Sequence, residues 1–354
     1  MIRTINPTRA RAALFSISLV AAVASVTAMA PSHAARIHVP APPGRPQVIA
    51  TIPLGGRIPL DIATDPVAHR AYITEPHGVT VINERTNKTI TTIAIPGRSV
   101  GVRPGILLAF ARNVATDPLT GMVYVTDTQH SSVLVISGRT DKVVATIKVG
   151  GAAYWVATNP LTDKVYVQVL QPSGDVVAVI DGRTGTVVAE IPEPGPDWAG
   201  IAVNPVTDTL YVGGGSAPGM LVINGRTNKV TTTISGVGAW SVDADPATNT
   251  IYAAYPGGEG FGDVSVIDGQ TTTLTHSITV QAPVRIATDP LTHLVYATNL
   301  YPDNVVVING RTDKVAASVR VGKQPLGIAT DPLTNTVYVA NIVSRSVTVL
   351  AGSR

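Results

Sequence analysis

A short motif recurs seven times along the sequence and constrains the fold more strongly than any other feature. Each copy begins with Asp-Pro or Asn-Pro and ends at a tyrosine seven residues after the Asp or Asn. The copies begin at Asp65, Asp117, Asn159, Asn204, Asp245, Asp289 and Asp331, and their tyrosines are Tyr72, Tyr124, Tyr166, Tyr211, Tyr252, Tyr296 and Tyr338. Self-similarity at a period of about 40–45 residues is typical of β-propellers, in which each repeat forms one four-stranded blade. Seven copies therefore predict seven blades.

Each repeat carries the signals of four antiparallel strands, which we label a to d from the central axis outwards. The short apolar segment before the Asp-Pro turn, for example 327–330, predicts strand a, and the alternating segment around the tyrosine predicts strand b. Asp followed by Pro suits a type I turn between these two strands. Strand c ends before a tight turn such as Asn224-Gly225, and strand d follows, as in 143–147. The sequence therefore predicts an all-β fold with almost no helix.

The first 34 residues are interpreted as a secretory signal peptide. Arg3, Arg9 and Arg11 precede an apolar run over 12–28, and small residues follow as far as Ala34. We expect cleavage near Ala34 and secretion, to the cell envelope or to the outside of the cell. No later segment of the sequence has the length of a transmembrane helix.

Two incomplete patterns at the ends of the repeats predict how the ring closes. Residues 35–46 are rich in proline and indicate an extended lead-in, after which 48–52 copies the pattern of strand d. The last repeat ends with 346–350, which copies strand c and has no strand d after it. We therefore expect the propeller to occupy 47–354 and the N-terminal strand to complete the last blade, because an open ring would leave long sheet edges unpaired.

Charge and cysteine content exclude several classes of function. Without the three basic residues of the signal segment, 23 Lys and Arg residues stand against 23 Asp and Glu residues, so composition gives no case for a nucleic-acid partner. The sequence has no Cys, and therefore no disulfide, no lipid-anchored Cys and no haem-attachment motif. It also lacks a phosphate-binding loop, a Gly-x-Ser-x-Gly elbow and a His-Glu-x-x-His motif. We expect a monomer that binds neither haem nor a nucleotide. Whether it binds a divalent metal is an open question at the level of the sequence.

The repeated Asp-Pro-x-Thr-x-x-Val-Tyr motif and the Tyr-Val-x-Asn run at 338–341 resemble the YVTN family of seven-bladed propellers. The resemblance covers essentially the whole mature chain, and it implies a secreted, periplasmic or surface-layer protein. A more distant resemblance to lactonases and virginiamycin B lyase implies an enzyme as the alternative. The last position of the Tyr-Val-x-Asn run varies here, and its residues are Glu75, Asp127, Val169, Gly214, Tyr255, Asn299 and Asn341.

The loops from d to a and from b to c share one face of the ring, which we call the variable face. Bulky aromatic residues gather there, and all three tryptophans lie where strand a begins in the third, fourth and fifth blades. The predicted aromatic wall consists of Tyr154, Trp155, Trp198, Trp240 and Tyr255. Two interpretations stay open: the rings plug the mouth of the channel, or they form a platform for a sugar or another flat ligand.

Polar side chains are predicted on the other half of the variable face. They are Glu75, His77, Asp127, His130, Asn299 and Asn341. The first four provide two histidines and two carboxylates on adjacent blades, which suit acid–base chemistry or a divalent metal. The alternative interpretation is that they are solvated loop residues.

An inserted loop at 96–112 is predicted to overhang this polar side. Its Arg98, Arg103 and Arg112 would supply positive charge to an anionic group of a ligand. We therefore predict a secreted protein that binds a small molecule, a glycan or a component of the cell envelope on the variable face. The alternative is an extracellular hydrolase or lyase, metal-assisted or not, that works through the two histidines and two carboxylates.

Overall fold

The computed structural model of the chain describes residues 46–95, 112–193, 200–214, 219–257 and 262–352. These residues form 28 β-strands in seven four-stranded antiparallel sheets, which are the blades of a seven-bladed β-propeller. The predicted all-β fold class is confirmed. The one helical segment in these ranges is a three-residue 3-10 turn, so no helix there is long and apolar enough to cross a membrane. The predicted signal peptide and nearly all of the proline-rich lead-in lie outside the described residues.

The first strand belongs to the last blade, and the other strands follow blade by blade along the chain. This strand is β1 (Gln47–Pro53). Blade 1 consists of β2 (Ile62–Asp65), β3 (Arg70–Glu75), β4 (Gly78–Asn83) and β5 (Lys88–Ala94). Blade 2 consists of β6 (Val114–Asp117), β7 (Met122–Asp127), β8 (Ser132–Ser137) and β9 (Lys142–Lys148). Blade 3 consists of β10 (Ala152–Asn159), β11 (Lys164–Leu170), β12 (Val176–Asp181) and β13 (Thr186–Pro192).

The remaining blades repeat the same order from the axis outwards. Blade 4 consists of β14 (Ile201–Asn204), β15 (Thr209–Val212), β16 (Gly219–Asn224) and β17 (Lys229–Ser235). Blade 5 consists of β18 (Ser241–Asp245), β19 (Thr250–Tyr255), β20 (Gly262–Asp268) and β21 (Thr273–Val280). Blade 6 consists of β22 (Pro283–Asp289), β23 (Leu294–Asn299), β24 (Asn304–Asn309) and β25 (Lys314–Arg320). Blade 7 consists of β26 (Pro325–Asp331), β27 (Thr336–Asn341) and β28 (Ser346–Ala351), with β1 as its outermost strand.

The ring closes by the predicted route, because β1 pairs antiparallel with β28. Ile52 and the adjoining Leu54 are 5% and 0% exposed. They share one apolar cluster with Tyr338 of blade 7 and Ile73 of blade 1. Residues from the two ends of the propeller therefore bury a common core where the first and last blades meet.

The seven repeat tyrosines fill the spaces between neighbouring blades. Each is at most 1% exposed. Tyr72 of blade 1, for example, lies in one cluster with Val114 and Val123 of blade 2. The tyrosine of the motif is therefore structural, as its regular spacing predicts.

The Asp or Asn of each motif organises the turn between strands a and b. The Asp65 carboxylate accepts hydrogen bonds from the backbone N–H groups of Val67 and Ala68, at 3.1 and 3.0 Å, as expected for an Asp that bonds ahead to the backbone. The turn ends with a residue in the left-handed conformation, which Gly, Asn, Asp and His tolerate best. The residues at this position are His69, Gly121, Asp163, Asp208, Asn249, His293 and Asn335.

A threonine before the turn connects each of five blades to the blade before it in the ring. Thr116 Oγ1 of blade 2, for example, donates a hydrogen bond of 2.6 Å to the Thr64 carbonyl of blade 1. The other donors are Thr64, Thr158, Thr288 and Thr330, and blades 4 and 5 have Val203 and Ala244 at this position. These bonds run around the axis and join innermost strands that share no ladder hydrogen bonds.

Candidate ligand-binding site

The residues four positions before the turn Asp or Asn surround the mouth of the central channel, and we call them the rim residues. They are Asp61, Asn113, Trp155, Gly200, Ser241, Arg285 and Gly327. Asp61, Asn113 and Ser241 each bond to the backbone of the next blade; Asp61 Oδ2, for example, accepts the backbone N–H of Val114 at 3.2 Å. A Cβ on Gly200 or Gly327 would lie 2.6 Å from the backbone of the next blade. Only glycine therefore permits so close an approach in blades 4 and 7.

Arg285 extends from blade 6 across the channel to the rim residues on the opposite side. Its guanidinium carbon lies 3.8 Å from the centroid of the Trp155 ring, which is a cation–π distance. Its Nη2 donates a long hydrogen bond of 3.5 Å to Asn113 Oδ1, and the Asn113 amide is oriented by a 2.7 Å bond from its Nδ2 to the Tyr154 carbonyl. The Arg285 side chain is thereby buried at the channel mouth, with 5% exposure.

The opposite charges of Arg285 and Asp61 only partly offset the cost of burying these two groups at the mouth. Burial lowers the pKa of Arg285 to about 10, and the charge of Asp61 opposes this shift only in part. Burial likewise raises the pKa of Asp61, against the opposing charge of Arg285. Arg285 Nε has no hydrogen-bond partner among the described residues. A buried charged N–H group without an acceptor is energetically unfavourable, so a ligand group that accepts its hydrogen bond would bind favourably.

A second buried arginine, Arg112, immediately precedes Asn113 in the sequence. It is 2% exposed, and within the described ranges both of its terminal nitrogens lack a hydrogen-bond partner. Its Nη2 is 3.7 Å from Asp127 Oδ1, which is too long for a hydrogen bond. Burial lowers the pKa of Arg112, with the Asp127 charge opposing. Two buried arginines, Arg112 and Arg285, therefore keep N–H donors without a hydrogen-bond partner among the described residues.

Of the predicted polar residues, Asp127 and His130 are in direct contact. His130 Nδ1 and Asp127 Oδ2 are 2.8 Å apart. The His130 side chain is 48% exposed, whereas the Asp127 side chain is buried. The short 3-10 turn at Thr128–His130 places the two side chains on the same side of the loop after β7.

Glu75 makes its hydrogen bonds within blade 1 and with the segment that leads into it. Its Oε1 accepts hydrogen bonds from Arg57 Nε at 3.1 Å and from Thr80 Oγ1 at 2.6 Å. Burial raises the pKa of Glu75, and His77 is exposed in the adjoining turn. Within the described residues, the one group of three His, Asp or Glu side chains close enough to share a metal ion does not include these residues.

The two predicted asparagines are directed into their own blades. Asn341 is 0% exposed and donates from Nδ2 to Thr348 Oγ1 at 2.9 Å. Asn299 is 1% exposed and donates to Asn304 Oδ1 at 2.9 Å. Because strand b ends beside strand c, side chains at this position tie the two strands together within one blade.

The predicted aromatic residues divide between the protein core and the surface. Tyr154 is 6% exposed. Trp155 packs against the apolar cluster of blades 3 and 4 and supports Arg285 with its ring, which agrees with the plug interpretation. Trp240 and Tyr255 of blade 5 keep part of their surface exposed. Trp198 and the loop arginines Arg98 and Arg103 lie outside the described residues.

The sequence alone indicates no role for Asp61, Asn113 or Arg285. A signal was present, because the rim position varies between blades while the three positions after it keep a common pattern. The contacts themselves could not be inferred, since Arg285 and Asn113 are 172 positions apart. Only the closed ring brings them together.

No protein-family model matches the sequence, and no curated protein matches it. One solved structure that matches is hydrazine synthase from Kuenenia stuttgartiensis, with 17% identity, a TM-score of 0.69, and coverage of 90% of this chain and 98% of that chain. At this identity the similarity shows the fold alone. The resemblances to the YVTN family, to lactonases and to virginiamycin B lyase stay predictions from the sequence. The chain is a seven-bladed β-propeller.

Proposed function

We propose that this chain is an exported β-propeller that binds a small anionic ligand at the channel mouth on its variable face. The observation that carries this proposal is the pair of buried arginines, Arg112 and Arg285, which keep N–H donors without an acceptor among the described residues. Buried charged groups are normally paired, because an unpaired one is strongly unfavourable. A carboxylate accepts hydrogen bonds from the planar guanidinium fork in a bidentate manner.

Partly exposed aromatic residues of the variable face indicate the rest of the ligand. Trp240 and Tyr255 are partly exposed on blade 5, and the sequence places Trp198 at the mouth of blade 4. Ligand sites combine such aromatic surface with a few polar groups that fix orientation. A sugar acid has one carboxylate and an apolar ring face, so acidic sugars, free or as part of a glycan, are the ligand class that fits.

Export is supported by the N-terminal sequence and by where the fold begins. The first strand starts at Gln47, so cleavage near Ala34 would leave every described strand intact. N-terminal sequencing of the secreted protein should therefore begin close to residue 35.

Thermal unfolding with two matched sugars tests ligand binding. Galacturonate should raise the melting temperature saturably, and galactose, which lacks the carboxylate, should not. Arg285→Lys keeps the charge but removes the fork, so affinity for galacturonate should fall about tenfold, or ~1.4 kcal/mol. Arg311→Lys, at an exposed arginine on the opposite face, is the matched control and should bind like the wild type. Equal shifts with both sugars, or unchanged affinity in Arg285→Lys, would refute the proposal.

A hydrolase or lyase is the second candidate function, and the contact between His130 and Asp127 favours it. An imidazole oriented by a carboxylate is suited to act as a general base, and the neighbouring Arg112 could stabilise an oxyanion. Turnover of small esters and lactones should be lost in His130→Gln. His276→Gln is the control, because His276 is similarly exposed and lies 3.6 Å from Asp313 on another part of the surface. Absence of turnover, or equal loss in both variants, would exclude this function for the pair.

A further inference from the structure

Two junctions between blades place a histidine beside the turn Asp of the preceding blade. Between blades 5 and 6, His293 Nδ1 lies 2.8 Å from Asp245 Oδ2. Between blades 7 and 1, His69 and Asp331 occupy the same two positions of the repeat. Here His69 Nδ1 is buried and has no hydrogen-bond partner in the described part of the chain. The two junctions therefore differ although their His and Asp residues correspond.

Glu84 distinguishes the second junction. It is the second residue of the turn after strand c, and the other blades have glycine there: Gly138, Gly182, Gly225, Gly269, Gly310 and Gly352. A Cβ on Gly138 would lie 2.7 Å from the Tyr72 hydroxyl of the preceding blade. The repeat thus leaves little room for a side chain here, yet blade 1 places a carboxylate at this position.

His69, Glu84 and Asp331 have side-chain N and O atoms that lie within 4.8 Å of one another. Glu84 is 5% exposed and Asp331 is 0% exposed. Both carboxylate oxygens of Glu84 are buried without a hydrogen-bond partner among the described residues. Asp331 is oriented by hydrogen bonds from the Leu333 N–H at 2.9 Å and the Thr334 hydroxyl at 2.6 Å. Two carboxyl groups buried so close together need a bound cation or a shared proton.

We infer that His69, Glu84 and Asp331 bind a divalent transition-metal ion, with Zn²⁺ as the best match. An imidazole nitrogen together with carboxylate oxygens is a ligand set that Zn²⁺ accepts, whereas Mg²⁺ and Ca²⁺ prefer oxygen ligands alone. Asp331 belongs to blade 7, and His69 and Glu84 belong to blade 1. The ion would therefore link the two blades at which the ring closes, on the face opposite the channel mouth, and stabilise the closed ring.

Thermal unfolding and calorimetry of the chelator-treated protein test this inference with Zn²⁺ alone. We expect a saturable rise in melting temperature and a stoichiometry of one ion per chain. Glu84→Gly restores the residue of the other six blades and should abolish the response. His69→Asn should weaken it at least about tenfold, since it removes one of three protein ligands. His293→Asn is the matched control at the other junction and should keep the full response. Asn occupies this left-handed position in blades 5 and 7, so both variants suit the turn.

The response to Zn²⁺ distinguishes a bound metal ion from a proton shared by the two carboxyl groups. No response to Zn²⁺ in the chelator-treated wild type would overturn the inference and leave the two carboxyl groups sharing a proton. A response that persists in both Glu84→Gly and His69→Asn would overturn it as well, because the ion would then bind elsewhere. An equal response to Ca²⁺ would contradict the assignment to a transition metal.

Discussion

The threonines before the Asp-Pro turns show how single residues hold a ring of separate sheets together. Strand a is the edge strand of its blade, so its carbonyl groups on the axis side have no neighbouring strand to bond. The hydroxyl of the next blade supplies a donor, as Thr116 does for the Thr64 carbonyl. Five such bonds link neighbouring blades, in addition to the apolar contacts between them.

Replacing one of these hydroxyls by a methyl group should lower stability by a measurable amount. Thr116→Val removes one hydrogen bond to a carbonyl near the axis and should cost about 1 kcal/mol of unfolding free energy. Blade 4 has Val203 at the same position, so the fold accepts valine there. The reverse change, Val203→Thr, should leave the stability unchanged or raise it. Urea unfolding measures both, and a Thr116→Val protein as stable as the wild type would show that these bonds contribute nothing.

The role of a single residue could be predicted from the sequence where it depends only on turn chemistry or on the repeat pattern within one blade. The turn carboxylate of Asp65 and the buried Tyr72 follow from turn chemistry and from a repeating pattern within one blade. The roles of Arg285 and Glu84 do not follow from local rules. Arg285 meets its partners across the channel, and Glu84 meets Asp331 only because the first and last blades are neighbours.

The N-terminal strand β1 is the element on which the closed ring depends. Its pairing with β28 was predictable because the pattern of strand d appears before the first repeat and is missing after the last one. The loops of the variable face were not predictable in the same way, because the sequence departs from the repeat there. Deleting 46–54 should therefore destabilise the protein more than the loss of an ordinary edge strand.

Two substitutions within β1 test this closure without a deletion. Ile52 is 5% exposed in the cluster between blades 7 and 1, whereas Ile49 of the same strand is 52% exposed. Ile52→Asp buries an unpaired charge and should lower the unfolding free energy by more than about 3 kcal/mol. Ile49→Asp should change it by less than about 0.5 kcal/mol. Similar melting temperatures for the two variants would mean that β1 does not complete the core of blade 7.

Across the whole molecule, buried carboxyl groups set the pH dependence of stability. Burial raises the pKa of Glu193 to about 7 and that of Asp243 to about 6. These two groups therefore hold more protons in the folded protein than in the unfolded chain between about pH 4 and pH 7, and their contribution makes the unfolding free energy fall as pH rises through this range. Exposed Asp181 and Asp268 have lowered pKa values and act in the opposite direction at lower pH.

Chemical unfolding at pH 5 and pH 8 checks this expectation. The wild type should be more stable at pH 5, and the Glu193→Gln/Asp243→Asn double variant should show a smaller difference between the two conditions. The double variant removes both titrating groups while it keeps the size of each side chain. Greater stability at pH 8 than at pH 5 would contradict the expected direction.

The two faces of the ring differ in what they offer to other molecules. The face of the a–b and c–d turns repeats one pattern seven times, and Glu84 is its main departure. The variable face carries the rim residues and the two buried arginines. We propose that this mouth binds an anionic ligand, with Arg285 at the point of contact and the Trp155 ring packed against its guanidinium.

Fluorescence of Trp155 measures this most directly, because its ring lies against the Arg285 guanidinium. The chain has three tryptophans, so Trp198→Phe/Trp240→Phe leaves Trp155 as the one tryptophan emitter and keeps an aromatic ring at both of the other positions. Galacturonate should change its emission saturably, galactose at equal concentration should not, and Arg285→Lys should shift the titration to about tenfold higher concentration. An emission that does not respond to galacturonate, or that responds equally to both sugars, would contradict the claim.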